Sequence, residues 1–345
     1  MMDDLERSEY IRKIEKESLL LKRKLERSEA QREQIEQLMD QTLLLLKRVT
    51  DEKLSEEERK RLEVFRKFVP ADFLVSLGKE RFEDIQLGDY LEREMTILFS
   101  DIRNFTAISE RKTPKETFDF INNYLAYLEP PIHENKGFID KFIGDAIMAL
   151  FYSPEDAVSA GVRMRQALNE YNKELADPIE FGLGIHTGLC MMGIIGGEGR
   201  LEGTVISDAV NLAARLENLT KRYQSSLLIS EASFSKVKEK HKYETRFLGK
   251  VKVAGKSEII EVLEILDAEN DNIREQKYKS KTYLELGLQF YFDRKFNEAR
   301  SQFNLALNEY PEDAVSKIYL AKSVAYSIEG VPEDWQGIDI VEKGQ

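Results

Sequence analysis

Between residues 92 and 266 the chain alternates apolar strand-like runs with capped helical segments, a pattern that limits it to a sheet covered by helices. The run 95–100, Met95-Thr-Ile-Leu-Phe-Ser, reads as the first strand. A helix begins near Thr113-Pro-Lys-Glu, where Thr113 suits the N-cap, Pro114 the first turn and Glu116 the far side of a capping box. Gly137 ends that region, and a hairpin follows with Gly144-Asp145 at its turn. A second helix starts near Ser153-Pro-Glu-Asp, and a strand runs from Ile179 to His186.

This β-α-β-β-α-β order is the ferredoxin-like form of an α+β domain. Extra elements are expected after it: a strand from Met192 to Gly196, a helix over 208–223, a strand at Leu227-Leu-Ile and a closing hairpin near 244–265. Flanking segments have a different character. Residues 5–62 contain no Gly or Pro and are rich in Glu, Lys, Arg, Leu and Gln, so they read as one long helix. Steps of three and four from Ile11 to Val49 give twelve positions, eight of them apolar, which predicts a parallel coiled coil over 1–62. Ser28 and Arg32 interrupt that seam. Pro70 breaks the helix, and Phe65, Phe68 and Phe73 predict a packed connector over 63–91. After the 92–266 domain, Tyr283, Leu286, Gly287, Phe290, Ala299, Phe303, Ala306 and Pro311 fit a single tetratricopeptide unit within a helical segment over 275–345. So short an array must dock on another surface to bury its core.

A net charge of −12 leaves no basic surplus to replace counterions on a nucleic-acid backbone, which disfavours a general nucleic-acid binder. Cys190 is the only cysteine, so no internal disulfide can form. The histidines, His133, His186 and His241, are too scattered for a zinc pattern. The longest early apolar run, Leu43 to Leu46, is far shorter than the ~20 residues of a spanning helix. A soluble, cytoplasmic protein with neither leader nor membrane span is expected.

Asp101 closes the apolar run 95–100, and Asp145 stands in the turn of an apolar hairpin. A carboxylate there is costly unless something positive meets it. Two such groups reaching one point make a hard oxygen site suited to Mg²⁺ or Mn²⁺. Read alone, each is equally a strand-end or turn residue capping backbone N–H groups. Asn211 and Arg215 lie four apart on the 208–223 helix, which puts an amide and a guanidinium on one face, a device for steadying a phosphoryl group.

Three stretches, Phe99-Ser-Asp-Ile-Arg-Asn-Phe-Thr, Lys141-Phe-Ile-Gly-Asp and Thr204-Val-Ile-Ser-Asp-Ala-Val-Asn-Leu-Ala-Ala-Arg, occur in that order. Together they resemble the class III nucleotidyl cyclases, over about half of the chain. The resemblance implies that Asp101 and Asp145, with the Ile102 carbonyl, hold two divalent ions, Mg²⁺ or Mn²⁺, per active site. It implies that backbone N–H groups of 102–106, Phe105 and Thr106 among them, cradle the triphosphate. Lys141 stands where adenylyl cyclases of the family read the adenine edge and guanylyl cyclases usually carry Glu. Thr204 falls at the second base-reading position and resembles the subgroup that includes bicarbonate-responsive cyclases. Asn211 and Arg215 match the residues that orient the ribose and stabilise the transition state. One departure is visible in Val251-Lys-Val-Ala-Gly-Lys, where Ala254 replaces the usual first lysine. The phosphate contact then falls to Lys256 or to Lys252. His186 reads as a structural strand-end residue.

The resemblance thus implies an adenylyl cyclase acting on ATP. Its metal aspartates and its Lys/Thr/Asn/Arg set come from opposite subunits of a homodimer, held by the cyclase domain and the coiled coil. A protein partner on the tetratricopeptide-like segment is a further expectation. A guanylyl cyclase is the near alternative, and a degenerate cyclase-domain scaffold binding partners through the helical segment is the distant one.

Overall fold

The structure, a computed structural model, describes residue 73 and residues 76–79, 84–197, 199–253 and 259–341, all within a compact unit spanning 69–345. The expected coiled coil over 1–62 and most of the connector lie outside the described residues. Within the connector, Phe73 is buried and Ser76 Oγ shares a 2.7 Å hydrogen bond with the Tyr152 hydroxyl.

The first half of the domain runs β1 (Tyr90–Ile102), α1 (Phe105–Ser109), α2 (Pro114–Glu134), β2 (Phe138–Ile143), β3 (Ala146–Phe151), α3 (Pro154–Asn172) and β4 (Phe181–Gly197). It continues through β5 (Arg200–Ile206), α4 (Asp208–Tyr223), β6 (Leu227–Ser230), α5 (Glu231–Phe234), β7 (Thr245–Val253) and β8 (Ile259–Ile265). Beyond these come α6 (Asp271–Phe292), α7 (Phe296–Glu309), α8 (Ala314–Glu329) and β9 (Asp339–Val341). The α2 start follows its local code: Thr113 N–H donates to Glu116 Oε2 at 2.8 Å, and Glu116 N–H donates back to Thr113 Oγ1 at 3.3 Å.

The described strands form one sheet in the order β2-β3-β1-β4-β6-β8-β7-β9, with β5 paired to β4 off this path. β1 and β4 run antiparallel in unbroken register from Tyr90↔Gly193 to Ile102↔Phe181. One expectation is corrected here. The separate strands proposed for 179–186 and 192–196 are a single 17-residue strand, β4, whose far half extends into a ribbon with β5. His186 is accordingly inside a strand, opposite Ile97, and not at its end.

Helices α2 and α3 bury one face of the sheet, with Tyr124, Leu128, Met164 and Leu168 packed on Leu98, Phe181 and Ile185. Helix α4 covers the other face, where Ala209 and Ala213 join Met95, Ile97 and Met192. Its approach to β4 is very close. A Cβ on Gly184 would lie 2.2 Å from the Glu217 nitrogen and 2.3 Å from the Ala213 oxygen, so only glycine fits there.

The flank of α4 carrying Leu212, Leu216, Leu219 and Tyr223 packs against Leu284, Leu288, Tyr291, Phe303 and Tyr319 of the C-terminal helices. Each such burial is worth roughly 1.5–3 kcal/mol, so these helices belong to the domain core energetically. A buried ionic cluster reinforces the seam. Arg246 of β7 donates to Glu264 of β8 at 2.9 Å and in two-pronged fashion to Asp313 at 3.0 and 3.1 Å. Lys277 of α6 donates to Glu264 at 2.6 Å and to Glu269 at 2.7 Å. The 275–345 segment is not helical throughout, because β9 pairs in parallel with β7. There Asp339 accepts a 3.0 Å bond from Arg222 of α4 and a second bond from Lys322 of α8.

Candidate active site

Strand β1, in the interior of the sheet, carries Asp101 near its C-terminal end, and the β2–β3 turn carries Asp145. The two carboxyls line the same cavity, and the charge of one bears on the other. Burial, then the neighbouring Asp101 charge, pushes the Asp145 carboxyl up to about 6. Its Oδ2 is buried and has no hydrogen-bond partner among the described residues. A half-buried carboxylate pair with one unpartnered oxygen fits a hard divalent cation, which would relieve both the desolvation and the mutual repulsion. Among the described residues no group of three or more His, Cys, Asp or Glu side chains forms a closed cage, so the remaining ligands would be backbone, substrate and water oxygens.

Asp101, Ile102, Phe105, Thr106 and Asp145 all line one cavity of about 840 Å³. Lys141, Thr204, Asn211 and Arg215 do not line it. Lys141 on β2 donates to Thr204 Oγ1 on β5 at 3.1 Å and also meets Glu202 at 3.4 Å. Asn211 and Arg215 occupy the outward face of α4, between the buried residues Leu212, Ala213, Leu216 and Glu217. Asn211 makes only a long 3.4 Å bond to the Ser207 carbonyl. Lys256 lies outside the described residues, and Lys252 is half-buried on β7.

His186 is enclosed, its Nδ1 2.7 Å from Ser230 Oγ, and burial depresses its pKa to about 4. It is a neutral packing residue. Two side chains that sequence reasoning did not place in the site reach it from α4. Lys221 donates to Asp101 Oδ2 at 2.8 Å, and Lys221 Nζ lies 3.9 Å from Glu217 Oε1. Burial pushes the Glu217 carboxyl up to about 7. The Glu217/Lys221 spacing of four was the available signal, but it reads as an ordinary surface pair on a helix.

Comparison with known proteins converges on one family. The family described as "Adenylate and Guanylate cyclase catalytic domain" matches residues 90–264, about half of the chain. A terminal-differentiation-specific adenylate cyclase of Dictyostelium discoideum is 37% identical over 270 residues, covering 76% of this chain and 13% of that protein. An adenylate cyclase of Anabaena cylindrica is 42% identical over 218 residues, covering 60% of this chain and 43% of that protein. The chain thus spans less than half the length of either relative. A solved bacterial light-regulated adenylyl cyclase shares 25% identity with a TM-score of 0.54, covering 69% of each chain. Among the described residues no helix is long and apolar enough to cross a membrane.

Proposed function

The chain belongs to the adenylate and guanylate cyclase catalytic domain family, and on that premise we propose that it converts ATP to cyclic AMP and pyrophosphate. The observation that carries the choice of ATP is the 3.1 Å contact between Lys141 and Thr204. An ammonium can only donate and therefore suits the adenine N1 acceptor, while a hydroxyl beside it can accept from the adenine amino group. Guanine instead presents an N–H donor at N1, for which an ammonium has no acceptor.

The ribose 3′-oxygen attacks the α-phosphorus, forming the new P–O bond as the bond to the β-phosphate oxygen breaks and pyrophosphate leaves. Asp101, Asp145 and the Ile102 carbonyl would hold two Mg²⁺ or Mn²⁺ ions, whose charge lowers the pKa of the 3′-hydroxyl and screens the triphosphate. The 3′-hydroxyl proton passes to solvent water, and no side-chain base is then required. The backbone of 102–106, including Phe105 and Thr106, holds the phosphates, with Lys256 or Lys252 as an added cation. Asn211 orients the ribose, and Arg215 stabilises charge developing at phosphorus, typically the largest catalytic contribution.

The separation of the aspartate cavity from the Lys141/Thr204/Asn211/Arg215 group supports a site shared between two copies, with two equivalent sites per homodimer. So does the β4–β5 ribbon, which displays Leu189, Met191, Ile195, Leu201 and Ile206 to solvent, an apolar surface that a second copy would cover. The N-terminal segment 1–62 would hold that pair as a coiled coil. The tetratricopeptide reading of α6 and α7 is kept in modified form: Ala299, Phe303 and Ala306 are spent on the domain core. A protein partner would therefore meet the outward side, where Ile328 is 80% exposed.

The test is an assay of purified protein with ATP or GTP, each with Mg²⁺ or Mn²⁺, detecting cyclic products. Cyclic AMP from ATP is the expected result. Equal or faster production of cyclic GMP would make it a guanylyl cyclase, and no turnover with either metal would leave the scaffold reading.

A further inference from the structure

Lys221 touches the candidate metal site yet has no part in the chemistry set out above. Its ammonium is 2.8 Å from Asp101 Oδ2, close enough to hold one of the two carboxylates that a divalent ion needs. Lys221 Nζ also lies 3.9 Å from Glu217 Oε1, one turn back on the same helix. That Glu217 oxygen is buried and has no hydrogen-bond partner among the described residues, and the residue as a whole is only 4% exposed. An unpartnered buried carboxylate oxygen is costly and calls for a cation or a donor.

We propose that Lys221 is a two-position lysine: it holds Asp101 when no divalent ion is bound there, and moves to Glu217 when an ion takes the Asp101 oxygen. The inference rests on the assignment of Asp101 and Asp145 as metal ligands. An ammonium and a divalent cation on one carboxylate repel each other strongly at the few ångströms available in a half-buried site. The ammonium has the flexible stem needed to leave, and Glu217 is the acceptor within reach. Its neighbour Arg222 is fastened to Asp339, so the last turn of α4 stays in place while the lysine side chain moves. Lys221 thereby sets the threshold concentration at which the site takes up metal, and Glu217 lowers that threshold by offering the lysine somewhere to go.

The two residues should act on metal affinity with opposite signs, an outcome that a merely structural pair would not give. Mn²⁺ binding to the full-length protein without nucleotide, followed by electron paramagnetic resonance at fixed pH, reads this directly. Lys221→Met should tighten Mn²⁺ binding by about tenfold, as loss of one repelling charge implies, and Lys221→Gln should shift it in the same direction. Glu217→Gln should weaken binding severalfold, and should have no effect once Lys221 is already Met, because it acts through the lysine. Thermal melts establish that each variant is folded. Unchanged or weaker binding in folded Lys221→Met and Lys221→Gln overturns the proposal, as does a Glu217→Gln effect that persists without the lysine. Asp101→Asn separates the two levels: if it binds Mn²⁺ as the unmutated protein does, the metal assignment itself is wrong and the lysine switch falls with it.

Discussion

Lys141 and Thr204 meet through a 3.1 Å hydrogen bond that ties β2 to the β4–β5 ribbon, so two residues 63 apart in sequence present one polar edge. Replacing Lys141 by Glu reverses the charge and removes the donor. Lys141→Glu should cost about 100-fold in kcat/KM for ATP, since the adenine acceptor is left unpaired opposite a carboxylate. Steady-state kinetics with both nucleotides, alongside a thermal melt, checks this. Retention of ATP turnover in the variant would remove Lys141 from base recognition.

Among the described residues that line the cavity, Asp145 carries a buried carboxyl oxygen with no hydrogen-bond partner, and Asp101 lines it too. Asp101→Asn and Asp145→Asn should each lower cyclase activity by about 1000-fold or more. Mixing inactive Asp101→Asn subunits with inactive Arg215→Ala subunits should restore activity, because one site of the mixed dimer carries neither lesion. Exchange can be followed with differently tagged subunits. Demonstrable exchange without recovered activity would refute the shared site.

Gly184 lies beneath α4 with no room for a methyl group, and the atoms in the way are backbone. Gly184→Ala should therefore push α4 off β4 and destabilise the domain by about 2–3 kcal/mol. A drop in Tm of about 5–10 °C is expected for a domain of this size. Activity should fall further than stability alone explains, since the displaced helix carries Asn211 and Arg215.

Acid should unfold the protein through the ionic cluster at the helical seam. Burial pushes Glu264 up, but Lys277 and Arg246 outweigh it and hold the carboxyl at about 2, against an ordinary value of 4.5. A depressed carboxyl contributes stability that is present above pH 4.5 and lost as pH falls toward 2. The full loss is about 3 kcal/mol. Asp145, raised from 3.8 to about 6, and Glu217, raised from 4.5 to about 7, are less ionised folded than unfolded, so they gain stability as pH falls through those ranges and offset part of the loss at the upper end of this window. Denaturant unfolding at pH 4.5, 3.5 and 2.5 should show the decline. Stability that is flat across that range would mean that Glu264 is not held ionised.

What could be read from the chain beforehand follows the range of the forces involved. The capping box at Thr113 and Glu116 and the hairpin turn at Gly144-Asp145 depend on neighbours within a few residues, and their signatures are local. Strand β4 reads in sequence as two pieces, 179–186 and 192–196, with Gly188 in the gap between them and Gly193 inside the second. In the folded chain these glycines make room for Ala209 and for the Asp89 backbone. Lys221 and Asp101 are 120 residues apart, and nothing in either segment announces the contact. Arg246, Glu264, Lys277 and Asp313 look like solvated charges in sequence, yet each is buried, because their partners arrive from four separate elements. The three-residue β9 has no pattern of its own, and its pairing with β7 is purely tertiary.

The place of β9 bears on how the protein is made. Helix α4 is complete at residue 223, but the cluster that buries Leu212, Leu216, Leu219 and Tyr223 is finished only by helices α6–α8, the last of which ends at residue 329. The Arg222 anchor waits longer still, until Asp339 has left the ribosome. During synthesis that flank of α4 therefore stays incompletely covered for more than a hundred codons, a period in which chaperones and neighbouring nascent chains have access to the same surface.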